Sequence, residues 1–236
     1  MRNHAFVFAR GGSKGLPGKN VKRLLDKPLI QYSIETAKAC PSIDMIFVST
    51  DDRTIASVAR ENGAIVIERP EELASDTSPE WLSWRHAVEW VCEHYGNFEG
   101  FVSLPTTSPL RSVEDVEKAI YQRIASDADI CVSITPANRS PYFNMVKKLA
   151  NGSVTLVNSL EEGVFRRQDA PEVFDITTVV YVAAPDFVLG SDSLFSGKVS
   201  GVEVPKERAV DIDDIYDFML AEAILKSEND GKAVRK

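Results

Sequence analysis

Along most of the chain, short apolar runs rich in β-branched and aromatic residues alternate with stretches whose apolar positions recur every three to four residues. The runs Ala5–Ala9, Met45–Ser49, Ala64–Glu68, Phe101–Leu104, Ile130–Ile134 and Val179–Ala183 predict strands. Pro28–Cys40, Arg53–Asn62, Glu80–His94, Ser112–Ser126 and Ile215–Lys226 predict helices, and Asp115, Val116, Ala119, Ile120 and Ile124 form the clearest stripe. Continuous apolar strands separated by helices imply a mainly parallel sheet covered on both faces. The expected fold is therefore α/β, Rossmann-like, with three αβα layers in a single domain spanning 1–236. The alternation breaks after Pro136. There, Tyr142–Lys148 and Ser153–Val157 flank Asn151-Gly152, which predicts a hairpin with a type I′ turn, and a polar stretch, Asn158–Pro171, follows. Residues 136–171 thus read as a small arm, either a lid, a dimer contact or a plain surface hairpin. After the last helix, the polar tail SENDGKAVRK is expected to fray.

Length and composition narrow the class. A chain of 236 residues with 44% hydrophobic and 26% charged residues can bury a substantial core. No apolar run reaches the ~18 residues of a membrane span, and the N-terminal apolar run is too short for a signal peptide, so a cytoplasmic protein is expected. Cys40, Cys92 and Cys131 are odd in number, far apart and set in apolar patterns, which predicts reduced core residues. A formal net charge of −8 argues against nucleic acid as the main partner. It leaves open a small anionic ligand held by a local cationic cluster.

One such cluster follows the first predicted strand, in Arg10-Gly11-Gly12-Ser13-Lys14-Gly15-Leu16-Pro17-Gly18-Lys19-Asn20. In open α/β folds this is the sheet edge where ligands bind. Glycines let the backbone approach a ligand, successive N–H groups form an anion-binding concavity, and Arg10, Lys14 and Lys19 add charge suited to a triphosphate. The spacing fits neither a P-loop, since Ser13 lies five residues before Gly18 and Asn20 follows Lys19, nor Gly-x-Gly-x-x-Gly. Near the other end, Asp211 and Asp213 flank Ile212. In an extended segment both carboxylates could face one Mg²⁺, while just before a helix the same residues could serve as caps. His4, His86 and His94 show no zinc-like spacing.

The glycine-rich segment resembles the signature of the acylneuraminate cytidylyltransferases, the CMP-nonulosonate synthetases. The resemblance extends through Lys27-Pro-Leu-Ile-Gln-Tyr-Ser-Ile, Ser49-Thr-Asp-Asp, Arg69-Pro-Glu-Glu-Leu-Ala-Ser-Asp76, Thr107-Ser-Pro-Leu-Arg111, Arg166-Arg-Gln-Asp169 and Asp211-Ile-Asp213, in the family's order. It implies transfer of CMP from CTP to a carboxylate-bearing nonulosonic acid with release of pyrophosphate. By the same resemblance, Arg10 and Lys19 would stabilise phosphate, and Ser13 and Asn20 would bind triphosphate and ribose. Gly11, Gly12 and Lys14 would belong to the nucleotide loop, Arg69 would help read cytosine, and Asp211 with Asp213 would hold Mg²⁺. Arg166 and Arg167 would meet the sugar carboxylate from an arm that reaches across a homodimer, with a solvated surface pair as the alternative. Tyr181 and Phe195 fall where the family surrounds the sugar, and core packing would also explain them. Two positions depart from the family. Pro105-Thr106 stands where Gln-Pro is frequent, and Thr177-Thr178 where Asn-Gly is frequent. In sialic acid enzymes that Gln and Asn touch the sugar, so a legionaminate-like or pseudaminate-like acid stands beside N-acetylneuraminate. A Kdo cytidylyltransferase and a catalytically silent nucleotide-binding protein remain the alternatives.

Overall fold

The predicted alternation is realised as a layered α/β domain in the computed structural model, which describes residues 1–12, 15–158 and 170–234. In chain order its elements are β1 (Asn3–Phe8), the two-residue strands β2 (Arg23–Leu24) and β3 (Lys27–Pro28), α1 (Leu29–Ala39), β4 (Ile43–Thr50), α2 (Arg53–Glu61), β5 (Ile65–Glu68), α3 (Glu80–Tyr95), β6 (Gly100–Ser103), α4 (Val113–Ala125), β7 (Ile130–Pro136), β8 (Val146–Lys148), β9 (Val154–Leu156), β10 (Phe174–Ala183), α5 (Pro185–Gly190), β11 (Val199–Glu203) and α6 (Ile215–Val234). Side-chain caps fix two of the predicted starts. Asp52 accepts from the Ile55 N–H ahead of α2, and Ser112 with Asp115 forms a reciprocal capping box at α4.

Seven strands form the central sheet in the order β11-β7-β10-β6-β1-β4-β5. All lie parallel except β10, which runs antiparallel between β6 and β7. The run Val179–Ala183 predicted a strand, and topology sets its direction. The chain leaves the sheet after β7 and re-enters at the same end, with Phe174 opposite Pro136, so the next strand must return. Helices α1, α2 and α4 bury Ile30, Ile34, Ile55, Ala59, Val116 and Ile120 on one face of the sheet. On the other face α3 and α5 bury Trp81, Trp84, Val88 and Val188 against Phe6, Phe47 and Phe101. Cys40 and Cys131 are buried, Cys92 is half-buried, and all three thiols are free, as expected.

Several local expectations are corrected. The arm is a hairpin of β8 and β9, but its turn is not type I′, because Asn151 does not adopt positive φ. The Gly152 N–H donates to the Leu149 carbonyl at 2.9 Å, Gly152 has φ 84°, and Leu149 pairs with Ser153. This is a three-residue connection in which only glycine takes the left-handed position. The polar tail does not fray after Lys226, since α6 continues to Val234. Lys226 pairs with Glu222 one turn back, and the tail's Glu, Lys and Ala residues favour helix. Ile124 leaves the α4 stripe and is 43% exposed. Edge strand β11 has a half-exposed pattern with no clean apolar run, which is why periodicity missed it.

His4 on β1 is fully buried between Phe47 and Phe98, and its Nε2 has no hydrogen-bond partner among the described residues. Burial pushes its pKa below the ordinary 6.5, so the folded state holds the ring neutral while the unfolded chain protonates it. The unfolded state then binds more protons, and stability present above pH ~6.5 is lost as pH falls through that value toward the folded pKa. In urea unfolding, His4→Phe is expected to lose less stability than wild type between pH 7 and 5.5. Parallel pH dependences would clear His4 of this role.

Candidate active site

Strand order reverses between β1 and β6, because β4 and β5 extend the sheet on one side of β1 and β6 lies on the other. In open α/β sheets ligands bind at the carboxyl ends of strands at such a switch point. A crevice of about 500 Å³ opens there. Arg10, Gly12, Gly15, Lys19 and Asn20 line it from the loop after β1, and Arg69, Asp76, Ser78 and Glu80 from the β5–α3 connection. Thr106 and Thr107 line it after β6, and Asp213 ahead of α6.

The glycine-rich loop is folded against the Asp211–Asp213 segment. A Cβ on Gly15 would lie 2.3 Å from the Asp213 carbonyl oxygen, so only glycine permits this approach. Gly18 takes φ 67° and starts the short 3₁₀ turn Lys19–Val21. Lys19 Nζ donates to the Ile212 carbonyl and lies 3.7 Å from the Asp213 carboxylate. The Ile212 N–H donates to Thr107 at 2.8 Å, and its side chain is fully buried beside Leu16, Leu24, Leu110 and Phe218. Burial of such a side chain is worth about 1.5–3 kcal/mol, enough to hold the segment in place. Upstream, Arg208 forms a bidentate pair with the buried Asp115 at 2.8 Å, which ties the same connection to α4.

The two predicted carboxylates do not cap α6. Asp214 accepts from the N–H groups of Tyr216 and Asp217, and the Asp217 carboxylate accepts from those of Asp213 and Asp214. Asp214 and Asp217 therefore form the cap, leaving Asp211 and Asp213 available. Asp213 faces the crevice with its side chain 81% exposed. Asp211 is half-buried, and its Oδ1 has no hydrogen-bond partner among the described residues. Burial raises the Asp211 pKa, hydrogen bonding from Thr107 opposes the rise, and the Asp213 charge adds to it. An orphaned carboxylate oxygen beside a second carboxylate at a crevice rim is a donor set that suits Mg²⁺.

Other expected site residues are placed as follows. Arg10 lines the crevice with its guanidinium 2.7 Å from Asp76, so its charge is partly engaged. Asn20 donates to the Arg10 carbonyl at 3.0 Å and accepts from Thr106 at 2.5 Å, which staples the loop to the β6 edge. Arg69 spends Nε and one Nη on Ser49 and stacks over Phe8, forming a wall of the crevice. The Gly11 N–H donates to Asp51, and Gly12 is open to the crevice. Thr177 is buried, and its hydroxyl donates to Ser133 at 2.8 Å. The register of β10 shifts between Ile176 and Tyr181, and this turns Thr178 toward Ser108, Thr107 and Asp211 instead. Tyr181 and Phe195 share an adjoining cavity with Trp81, Trp84 and Leu194. Ser13, Lys14, Arg166 and Arg167 lie outside the described residues.

Arg111 escaped sequence reasoning as a positioning group. It is buried and donates to Val179 at 2.7 Å, to Ser33 at 2.6 Å and to the Pro105 carbonyl. One guanidinium thus joins α1, the β6 loop and the β10 bulge. Burial lowers its pKa to about 9, still leaving the cation at neutral pH.

The cytidylyltransferase family pattern matches residues 4–177. The chain belongs to the cytidylyltransferase family. This cytidylyltransferase is 36% identical over 226 residues to the CMP-N,N'-diacetyllegionaminic acid synthase of Campylobacter jejuni, covering 94% of each chain. It is 30% identical over 227 residues to the N-acylneuraminate cytidylyltransferase of Escherichia coli, covering 95% of this chain and 52% of that one. Its fold matches a CMP:2-keto-3-deoxy-manno-octonic acid synthetase solved with CTP, at a TM-score of 0.71 and 17% identity, over 97% of this chain and 100% of the other. The enzyme is thus a nucleotidyltransferase of Rossmann-like fold. Among its described residues no helix is long and apolar enough to cross a membrane.

The cap geometry separates the aspartates by experiment. Asp214→Ala is expected to cost about 1 kcal/mol in thermal or urea unfolding. Asp211→Asn and Asp213→Asn should cost less, and Asp211→Asn is expected to raise stability at neutral pH, because the folded state raises that carboxyl's pKa and so disfavours its ionised form. A larger stability loss at Asp213 than at Asp214 would reverse the assignment.

Proposed function

We propose that this cytidylyltransferase transfers CMP from CTP to a nonulosonic acid and releases pyrophosphate. The observation that carries the reading is the contact of Lys19, on a glycine-rich anion loop, with the Asp211–Asp213 segment at the switch-point crevice. Similarity to CMP-nonulosonate synthases over almost the whole chain supports the choice of acceptor.

In this reading the anomeric hydroxyl of the sugar attacks the α-phosphorus of CTP in line. Transfer of this kind asks the protein for positioning and for stabilisation of charge on phosphate oxygens. Lys19 supplies a compact charge, and Arg10 joins it once phosphate competes with Asp76. Gly12 and Gly15 line the crevice where the triphosphate would lie, and Ser13 and Lys14 would add a hydroxyl and a charge. Asn20 holds the loop to Thr106 beside the ribose, and Arg69 walls the cytosine end. Asp211 and Asp213 would hold Mg²⁺, which when bound supplies Lewis-acid stabilisation to phosphate oxygens. Thr106, Tyr181 and Phe195 border the sugar, and the carboxylate of the sugar pairs with Arg166 or Arg167. The exposed apolar residues Met145, Val146, Leu149, Val154 and Leu156 of the arm suit a homodimer contact. The working compartment in this reading is the cytoplasm.

Pyrophosphate release from CTP and Mg²⁺, measured against legionaminic, pseudaminic, N-acetylneuraminic and Kdo acids, tests the reaction. Turnover with at least one nonulosonic acid is expected, and turnover with Kdo alone would overturn the acceptor class. Lys19→Ala should lower turnover about 10²–10³-fold, far more than its lost hydrogen bond to Ile212 lowers the melting temperature. Asp211→Asn and Asp213→Asn should each shift the Mg²⁺ titration of activity to higher concentration.

Oligomeric role is tested separately. Sedimentation should give a dimer, and mixing Lys19→Ala subunits with subunits altered at the arm arginines should restore about one working site of two in each mixed dimer. Exchange between confirmed dimers without recovery would place the arginine in its own subunit's site, and a monomer at working concentration would overturn the dimer reading.

A further inference from the structure

The β10 bulge carries one member of a cluster of hydroxyls that takes no part in phosphate binding. Thr178 Oγ1 lies 2.7 Å from Ser108 Oγ and 3.3 Å from Thr107 Oγ1, and the hydroxyls of Thr107 and Thr178 both hydrogen-bond the Asp211 carboxylate. Asp211 Oδ1 has no hydrogen-bond partner among the described residues, so these bonds fall on Oδ2. One oxygen of the carboxylate is held, and the other is left buried and able to meet a cation. Ser108 is fully buried. An ionised carboxylate only accepts, so the protons of the cluster run toward it: Ser108 donates to Thr178, and Thr178 donates to Asp211. Bonds in such a chain polarise one another, which strengthens the last of them.

Both sides of this contact are fixed by backbone interactions. Arg111 Nε donates to the Val179 carbonyl at 2.7 Å, and its Nη2 donates to the Thr178 carbonyl at 3.4 Å and to that of Pro105. One buried guanidinium therefore joins Thr178 to the loop that carries Thr107 and Ser108. Ser133 Oγ accepts from the Thr177 hydroxyl at 2.8 Å and from the Val180 N–H at 3.0 Å. With Thr177 pinned to Ser133, Thr178 is directed to the opposite face of the strand, where Asp211 lies. Asp211 is brought there by its neighbour, since the Ile212 N–H donates to the Thr107 carbonyl at 2.8 Å and the Ile212 side chain is fully buried. Carboxylates that ligate metals are oriented by hydrogen bonds of this kind, made by groups that are themselves held rigidly.

From this geometry we infer that Thr178 is a positioning residue for Asp211: its hydroxyl, backed by Ser108, holds Oδ2 in one orientation and leaves Oδ1 for the cation. Thr178 itself touches neither nucleotide nor metal, and this role rests on the proposed binding of Mg²⁺ by Asp211 and Asp213.

Mn²⁺ serves as the probe of the site. Its affinity for the enzyme carrying one equivalent of CTP, read by electron paramagnetic resonance without sugar, is compared in wild type and in variants at Thr178, Ser108 and Asp211. Thr178→Val keeps the shape and loses the hydroxyl, and Thr178→Ala loses both. Each should weaken Mn²⁺ binding about ten- to hundredfold, while affinity for CTP without metal stays within about twofold of wild type. The Mg²⁺ concentration for half-maximal pyrophosphate release should rise in step. Thr178→Ser restores the donor and should recover most of the loss. Ser108→Ala breaks the bond between Ser108 and Thr178 but leaves the donor to Asp211, so it should lower the melting temperature with a much smaller effect on Mn²⁺. In metal-free protein, the melting shifts of Thr178→Val and Asp211→Ala should depart from additivity in the double variant, because both remove the same contact. Unchanged Mn²⁺ affinity in folded Thr178→Val and Thr178→Ala, an equal loss in Ser108→Ala, or no recovery in Thr178→Ser would each overturn the positioning role. Additive melting shifts would do the same. A loss of Mn²⁺ affinity in Asp211→Ala beside unchanged Thr178 variants removes the positioning role alone. Wild-type Mn²⁺ affinity in Asp211→Ala would overturn the metal reading and this role together.

Discussion

Two segments separated by almost the whole chain must be held in contact for this crevice to exist. Lys19 and Ile212 are 193 positions apart, and Lys19 reaches the Ile212 carbonyl while Gly15 rests on that of Asp213. Beneath them Leu16, Leu24, Leu110, Ile212 and Phe218 form an apolar cluster distinct from the two cores that flank the sheet. That cluster fixes the backbone, and the charged groups follow from it. Ile212 is driven inward, so the carboxylates on either side of it stay near the lysine and the glycine-rich loop, Asp213 in the crevice wall and Asp211 half-buried. Hydrophobic burial of one residue thus sets the geometry of three charges.

The polar connections around the crevice extend this constraint. Asn20 joins the anion loop to Thr106, Arg111 joins the β6 loop to the β10 bulge and to α1, and Arg208 joins the α6 connection to α4. Each is buried or half-buried, where hydrogen bonds hold geometry most firmly. Groups aimed at ligand sit in front of this layer, with Lys19, Asp213 and Glu80 all lining the crevice. A nucleotidyltransferase works mainly by holding reactants and countercharges in place, and a rigid rear layer with charged groups in front is suited to that task. Asp211 carries a cost of this arrangement, since a half-buried carboxylate with an orphaned oxygen weakens the fold at neutral pH.

The sequence by itself determined the fold class, the helices and inner strands, and the glycine-rich loop after β1, because each is written in local periodicity or in glycine spacing. Asp211 and Asp213 were visible as a pair, but capping and metal binding place the same residue type at the same spacing. The structure removed the cap reading, since Asp214 and Asp217 take the α6 N–H groups. The β10 register shift seats Thr177 on Ser133 and Thr178 beside Ser108, and a one-residue change of face in a strand leaves no trace in composition. Asp76 stood in the sequence only at the end of a motif and Glu80 only as a helix start, without any sign that one pairs with Arg10 and the other borders two chambers. The antiparallel direction of β10 and the buried clamp of Arg111 likewise depend on contacts between distant elements. Local patterns report which face of an element is buried; the partner across that face is decided by how the elements pack, and in this enzyme the site is made of such partners.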